Sequence, residues 1–394
     1  LRGKARPEMA PRRMTHMPLL FTPLTLRGVK LPNRIVLAPM CQYSARDGFA
    51  DDWHLVHLGR YAMGGFGCVM AEATAICPEG RITHGDLGLW SDAQIQPLRR
   101  VADFIRAQGA APAIQIAHAG RKASMQKPWH GNGPLAESDF ARGDTPWRIV
   151  APSAIAVDAG YIQPDELTVD AIQALIAGYG AATARADAAG FDVVEAHGAH
   201  GYLIASFLSP ITNRRSDAYG GDRAGRMRFA LEAATAMRAA LPSQKPLFFR
   251  LSSVDGAEGG WDMADTVALS GALKALGVDV IDCSSGGLTG SSTTRNSSRG
   301  PGYQAPYARQ TREEAHVPTM AVGLILDGPQ AEALLQGGYC DLIAIGREAL
   351  ANPHWGHDAA KALDYDREFS RWPEQSGWWL DKRAKAMARS PAAE

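Results

Sequence analysis

The chain has 394 residues, 46% of them hydrophobic and 21% charged, with a formal net charge of zero. That balance describes a globular protein with a sizeable core and gives no sign of nucleic acid or an anionic membrane as an electrostatic partner, and no apolar run approaches the roughly 18 residues of a membrane span. The five cysteines, Cys41, Cys68, Cys77, Cys283 and Cys340, are scattered and never form a C-x-x-C pair, which points to a reducing, cytoplasmic setting and away from disulfides, zinc ribbons and iron–sulfur clusters.

Residues 1–17 carry several Arg and Lys and two prolines, with no apolar signal core behind them. They read as a disordered or non-native extension. Phe21–Ile35 reads as a hairpin able to close the bottom of a barrel. Apolar, β-branched runs then mark candidate strands at Ile35–Met40, Gly67–Ala73, Ala113–Ala117, Phe191–Ala196, Pro246–Ser252, Val278–Ser284, Thr319–Val322 and Leu342–Gly346. Helical patterns lie between them at Trp53–Met63, Ile95–Ala107, Val169–Ala189, Ala224–Ala240 and Ala264–Leu276. Strands alternating with helices predict one closed TIM (β/α)8 barrel over residues 18–365. A doubly wound open sheet is the alternative, although no early G-x-G-x-x-G turn supports it. Two long excursions, His118–Leu167 and His197–Asp222, follow the third and fourth strands and belong at the carboxyl-terminal mouth, where barrels place their chemistry.

The clearest chemical constellation is His197-Gly-Ala-His200-Gly-Tyr202. Imidazole N–H groups polarise a carbonyl oxygen and a phenol delivers a proton. The alternatives are a structural histidine pair or two ligands of a metal, for which no third ligand is evident. Arg250 stands alone in an apolar strand, a costly position unless it is paired. Ala321-Val-Gly323 and Ala344-Ile-Gly346-Arg347 end the last two strands. Barrels bind phosphate there, with backbone N–H groups at the glycines and a bidentate arginine.

The H-x-x-H-G-Y element, followed by Ser209-Pro-Ile-Thr-Asn213-Arg-Arg-Ser-Asp217-Ala-Tyr219-Gly-Gly, resembles the signature of the old yellow enzyme family. The likeness runs from about Leu20 to the Trp378 region. It is strongest to the bacterial branch that includes xenobiotic reductases, because Ala38-Pro39-Met40-Cys41-Gln-Tyr43 carries a cysteine where yeast and plant relatives have threonine. The resemblance implies non-covalent FMN and NADPH or NADH as hydride donor. Pro39, Met40 and Cys41 would line the flavin, with Cys41 near N5; a buried small hydrophobe is the other reading of that thiol. Ala73 would contact the flavin by its backbone, Gln115 would bond the pyrimidine ring, and Arg250 would lie beneath N1, a buried salt bridge being its alternative. Gly323, Gly346 and Arg347 would hold the phosphate. Lys122 would approach the flavin edge or the nicotinamide phosphate, or be a solvated loop lysine.

The activity implied is reduction of activated C=C bonds in α,β-unsaturated carbonyl compounds by two half-reactions. The substrate oxygen would rest on His197 and His200, hydride would come from flavin N5, and Tyr202 would supply the proton. Tyr43, Cys41 and Lys122 would shape the pocket. Another FMN barrel of the hydroxyacid oxidase type, or a redox sensor using Cys41, is the rival. Residues 366–394 read as a tail whose Trp378-Trp379 pair either packs on its own barrel or resembles tail residues that relatives insert into a neighbouring subunit, in a homodimer or homotetramer.

Overall fold

Side-chain alternation along each strand decides what the barrel encloses. The computed structural model describes residues 17–289 and 299–389; the expected amino-terminal extension, apart from Met17, lies outside them. The strands are β1 (Leu24–Leu26), β2 (Val29–Leu31), β3 (Ile35–Leu37), β4 (Cys68–Ala75), β5 (Ala111–Ala117), β6 (Val150–Ala151), β7 (Asp165–Glu166), β8 (Val193–Gly198), β9 (Leu247–Ser252), β10 (Val280–Ser284), β11 (Thr319–Val322) and β12 (Leu342–Ile345). Eight of them close a parallel barrel in the order β3-β4-β5-β8-β9-β10-β11-β12, with β12 paired back onto β3. This is the predicted TIM barrel.

The boundaries differ from expectation where local chemistry intervenes. β3 stops at Leu37 rather than Met40, because Pro39 has no N–H to give the ladder. β5 starts at Ala111, two positions early, since a proline is tolerated near the start of a strand. β8 runs on to Gly198, so His197 is a barrel residue and not the first residue of the loop. The five expected helices are all present, each shifted by a residue at most. Asp51, Thr168, Asp222 and Asp262 cap four of them by accepting backbone N–H groups of the first turn. Further helices span Ala305–Ala315, Gly328–Gln336, Trp355–Ala362 and Glu374–Arg389. The two long excursions are not structureless: the first contains the paired β6 and β7, and the second a helix at Leu203–Leu208. Among the described residues no helix is long and apolar enough to cross a membrane.

The β1–β2 hairpin closes the barrel bottom, as expected. Its Leu26 and Leu31 join the interior cluster that contains Val36, Met70, Phe248 and Leu342. Arg27 clasps Asp279 with Nε at 2.7 Å from Oδ1. Just upstream, Glu332 accepts the backbone N–H groups of Leu19 at 2.8 Å and Leu20 at 2.7 Å, tying the start of the barrel to its last helices.

Candidate active site

On β5, β8, β9 and β10 the inward-facing positions change from apolar to polar toward the carboxyl end. Ala111 and Ala113 lead to Gln115, Val193 to Glu195 and His197, Phe248 to Arg250, and Val280 to Asp282. Register then sets the neighbours: Gln115 is level with Glu195, and His197, Arg250 and Asp282 lie side by side on β8, β9 and β10.

Within this layer Gln115 donates its amide N–H to Glu195 Oε1 at 2.7 Å. Arg250 Nε lies 3.1 Å from Asp282 Oδ2 but is not aligned for a hydrogen bond, so the pair is ionic. Glu195 and Asp282 are both fully buried. One guanidinium cannot balance two buried carboxylates. Burial raises both acids, and Arg250, the opposing charge, sits against Asp282. Glu195 is hydrogen-bonded to the neutral Gln115 amide; burial, and then the nearby Asp282 charge, outweighs the opposing Arg250 charge and pushes it up to about 8. Its protonated form is thereby favoured in the fold.

A stability test follows. Unfolded, a glutamic acid titrates near 4.3, so between that value and about 8 the folded chain holds a proton that the unfolded chain releases. Folding stability then falls as pH rises through this window, by at most about 1.4 kcal/mol per pH unit. Glu195→Gln lacks the group, so urea unfolding from pH 5 to 8.5 should show the variant gaining on the wild type as pH rises. A difference that is constant with pH would mean that Glu195 is ionised in the fold.

At the mouth His197, His200 and Tyr202 come together. The His197 ring meets His200 at 5.2 Å and Tyr202 at 4.8 Å between centroids, both edge to face. His197 Nδ1 accepts the backbone N–H of Ala199 at 3.2 Å, which leaves the imidazole proton on Nε2. Burial, followed by the charges of Arg250 and Lys122, holds His197 well below its ordinary value, and burial and Arg250 do the same for His200. Both rings are neutral donors at physiological pH. His200 adopts φ 59°, an uncommon conformation for a side-chain-bearing residue, and is held in it by donating its backbone N–H to Ser252 Oγ at 2.9 Å. The next residue, Gly201, has φ 71° and no room for a Cβ, which would stand 2.5 Å from the Gly287 carbonyl. Tyr202 starts the Leu203–Leu208 helix. Burial and the nearby Cys41 and Asp86 push its phenol well above the ordinary value, so it is protonated.

Tyr43, Lys122 and Tyr202 line one pocket of about 110 Å³ with Met125, Gln126 and Tyr161. Lys122 is not a solvated loop lysine: its Nζ donates to the carbonyls of His200 at 3.1 Å and Gly287 at 2.7 Å, and burial lowers it to about 8. It braces the histidine loop from beneath. Cys41 is half-buried, and burial, Asp86 and Glu72 keep it a thiol rather than a thiolate. Its neighbour Gln42 is fixed by donating its backbone N–H to Glu72 at 2.7 Å and its amide to the Met40 carbonyl at 2.8 Å. Pro39 and Met40 stand half-buried beside them, and Ala73 follows a bulge in β4 that sets it level with Gln115.

Gly323, Gly346 and Arg347 share a separate pocket where β11 and β12 end. Gly323 has φ 114°, and a Cβ there would meet the Gln304 amide at 2.7 Å. A Cβ at Gly346 would find nothing nearer than Ala38 and the Met40 sulfur at 3.8 Å, so the space above it is open. Arg347 is exposed at its rim.

The Ser209–Tyr219 motif lies behind the site and acts as a brace. Asn213 donates to the carbonyls of Phe207 and Tyr219, and Arg215 to those of Pro152 and Leu167. Sequence reasoning missed Glu195, Asp282, Ser252 and Ser284. An acid inside the apolar runs Val-Val-Glu195-Ala and Val-Ile-Asp282-Cys was the available signal for the first two.

A family model described as the NADH:flavin oxidoreductase / NADH oxidase family matches residues 19–366. The NADPH dehydrogenase of Bacillus velezensis is 42% identical over 347 residues, which cover 88% of this chain and 95% of that protein. Among solved structures, morphinone reductase superposes with a TM-score of 0.73 at 27% identity, over 89% of this chain and 91% of the other. A 2-naphthoyl-CoA reductase complex gives 0.77 at 25% identity, over 87% of this chain but only 52% of the larger protein.

Proposed function

The chain belongs to the NADH:flavin oxidoreductase / NADH oxidase family, the old yellow enzymes, and is an FMN oxidoreductase fed by NAD(P)H; on that premise we propose that it reduces activated C=C bonds of α,β-unsaturated carbonyl compounds. The observation carrying this reading is the meeting of two neutral imidazoles and a protonated phenol at the barrel mouth, with ring centroids 4.8 and 5.2 Å apart.

Several features suit the cofactor. The Arg250 guanidinium makes no hydrogen bond among the described residues, and so has donors free for an anionic ring. Gly346 leaves its pocket open beside the exposed Arg347, a fit for a phosphate. The bound flavin supplies the two-electron exchange between NAD(P)H and substrate. Pro39, Met40, Ala73 and Gln115 would line its ring, Cys41 would tune it as a thiol, and Gly323, Gly346 and Arg347 would hold its phosphate. His197 donates from Nε2 to the substrate oxygen, and His200 is the second donor. Developing enolate charge on that oxygen strengthens both bonds. Tyr202 gives its proton to the α-carbon. Tyr43 and Lys122 form the pocket wall, with Lys122 holding the histidine loop in place.

We take residues 18–365 as the FMN-binding unit and 366–394 as a tail. Trp378 and Trp379 are 56% and 68% exposed on the last helix, which supports their covering by a second copy in a homodimer or homotetramer. The five free cysteines support a cytoplasmic setting. One spectrum tests the central reading: the purified protein should show bound FMN, bleach under anaerobic NADPH and recover on addition of an enone. A colourless protein that FMN cannot reconstitute would end the flavin assignment, and a bleached one that no enone restores would end the substrate assignment. Arg347→Ala should weaken FMN binding by about 1.5–3 kcal/mol, the scale of a charge-assisted hydrogen bond. Unchanged retention on dialysis would remove Arg347 from the phosphate site.

A further inference from the structure

The two histidines need opposite tautomers to present matching donors, and the chain contains a device for each. His197 is settled by its own loop, since the Ala199 N–H occupies Nδ1 at 3.2 Å. His200 is held differently. Its Nε2 lies 2.8 Å from Ser284 Oγ, the last residue of β10 and two positions beyond Asp282 on the inward face. A hydroxyl either gives or takes at that contact, so what else Ser284 can do with its proton decides the tautomer.

Among the described residues the other acceptor within its reach is Gln304 Oε1, and that atom lies 3.5 Å away. Gln304 cannot turn to improve the contact. Its Nε2 donates to the Val322 carbonyl at 3.0 Å, and its Oε1 already receives the Ser285 hydroxyl at 2.7 Å. The nearer and less occupied acceptor for the Ser284 proton is therefore the His200 ring.

We propose that Ser284 is a positioning residue that donates to His200 Nε2, fixing the Nδ1–H tautomer and so turning His200 into a donor to the substrate. Val322, Gln304 and Ser285 form the chain of contacts that orients it. The functional part of this inference rests on the reading of His197 and His200 as the pair that binds the carbonyl oxygen; the tautomer itself does not. Burial and nearby cations keep both rings neutral, so each has one proton to place, and the site gains two N–H donors only if the tautomers differ.

Long-range 1H–15N correlation spectra of the FMN-loaded, 15N-histidine-labelled protein read tautomers directly, whatever the enzyme's activity. The wild type should show His197 protonated on Nε2 and His200 on Nδ1. Ser284→Ala should move only His200, toward the Nε2–H form, and weaken binding of a phenol, the probe for the oxygen site, about tenfold, the loss of one good hydrogen bond. Ser284→Thr keeps the hydroxyl and should restore both. A wild-type His200 protonated on Nε2 overturns the proposal even if the alanine variant fails to fold, and so does a His200 pattern unchanged in Ser284→Ala. Correct tautomers with no effect on phenol affinity would instead overturn the carbonyl-binding reading of the pair and leave the tautomer assignment standing.

Discussion

Replacing Tyr202 by Phe should slow reduction of an enone by roughly 10²–10⁴-fold, the usual contribution of a positioned general acid, while reduction of bound FMN by NADPH stays near the wild-type rate. The substitution removes only the hydroxyl. The ring keeps its edge-to-face contact with His197 at 4.8 Å and its place 5.6 Å from the Lys122 ammonium, so the loop and pocket should persist. What disappears is the proton that burial and the neighbouring Cys41 and Asp86 keep on the phenol. Strongly activated alkenes, whose reduced anions water can protonate, should lose less. Stopped-flow traces of the two half-reactions separate the outcomes: equal slowing of both would make Tyr202 structural, and unchanged alkene reduction would assign the proton to another acid or to solvent.

The double variant His197→Ala/His200→Ala should lose more in substrate binding. Each donor to the developing oxyanion is worth roughly 3 kcal/mol, and two donors on one oxygen act as a unit, so their losses do not simply add. A combined fall in kcat/KM of about 10³–10⁴-fold is expected. FMN content should hold, since neither ring contributes to the glycine and arginine pocket at the ends of β11 and β12. Phenol titration provides an independent reading: the long-wavelength charge-transfer band expected of wild type should vanish. A double variant that keeps the band and its affinity would show that the oxygen binds elsewhere.

The barrel was legible because its strands are short apolar runs set between capped helices, and because Pro39 and the Asp caps displaced boundaries by only a few residues. His197, His200 and Tyr202 were legible because they are close in sequence. The groups that hold them were not. Ser284 reaches His200 across 84 residues, and Lys122 reaches Gly287 across 165. The excess of buried acid over base arises from register across β8, β9 and β10, which no local pattern reveals. Lys122 shows the same limit: a lysine next to Arg121 in a glycine-containing loop looks solvated until the carbonyls of two distant loops are brought to it.

The closure of β12 onto β3 also has a consequence for the birth of the protein. The first barrel strand leaves the ribosome early, but the helix residue that anchors its leading segment, Glu332, lies 312 residues after Leu20. At 5–20 residues per second, translation takes about 15–60 s to cover that distance. Throughout that interval one flank of β3 has no partner, and the apolar Ile35, Val36 and Leu37 form an open edge of the kind that recruits other chains. Chains stalled before β12 should therefore aggregate rather than yield partly active enzyme, and added chaperone should raise the soluble yield on overproduction.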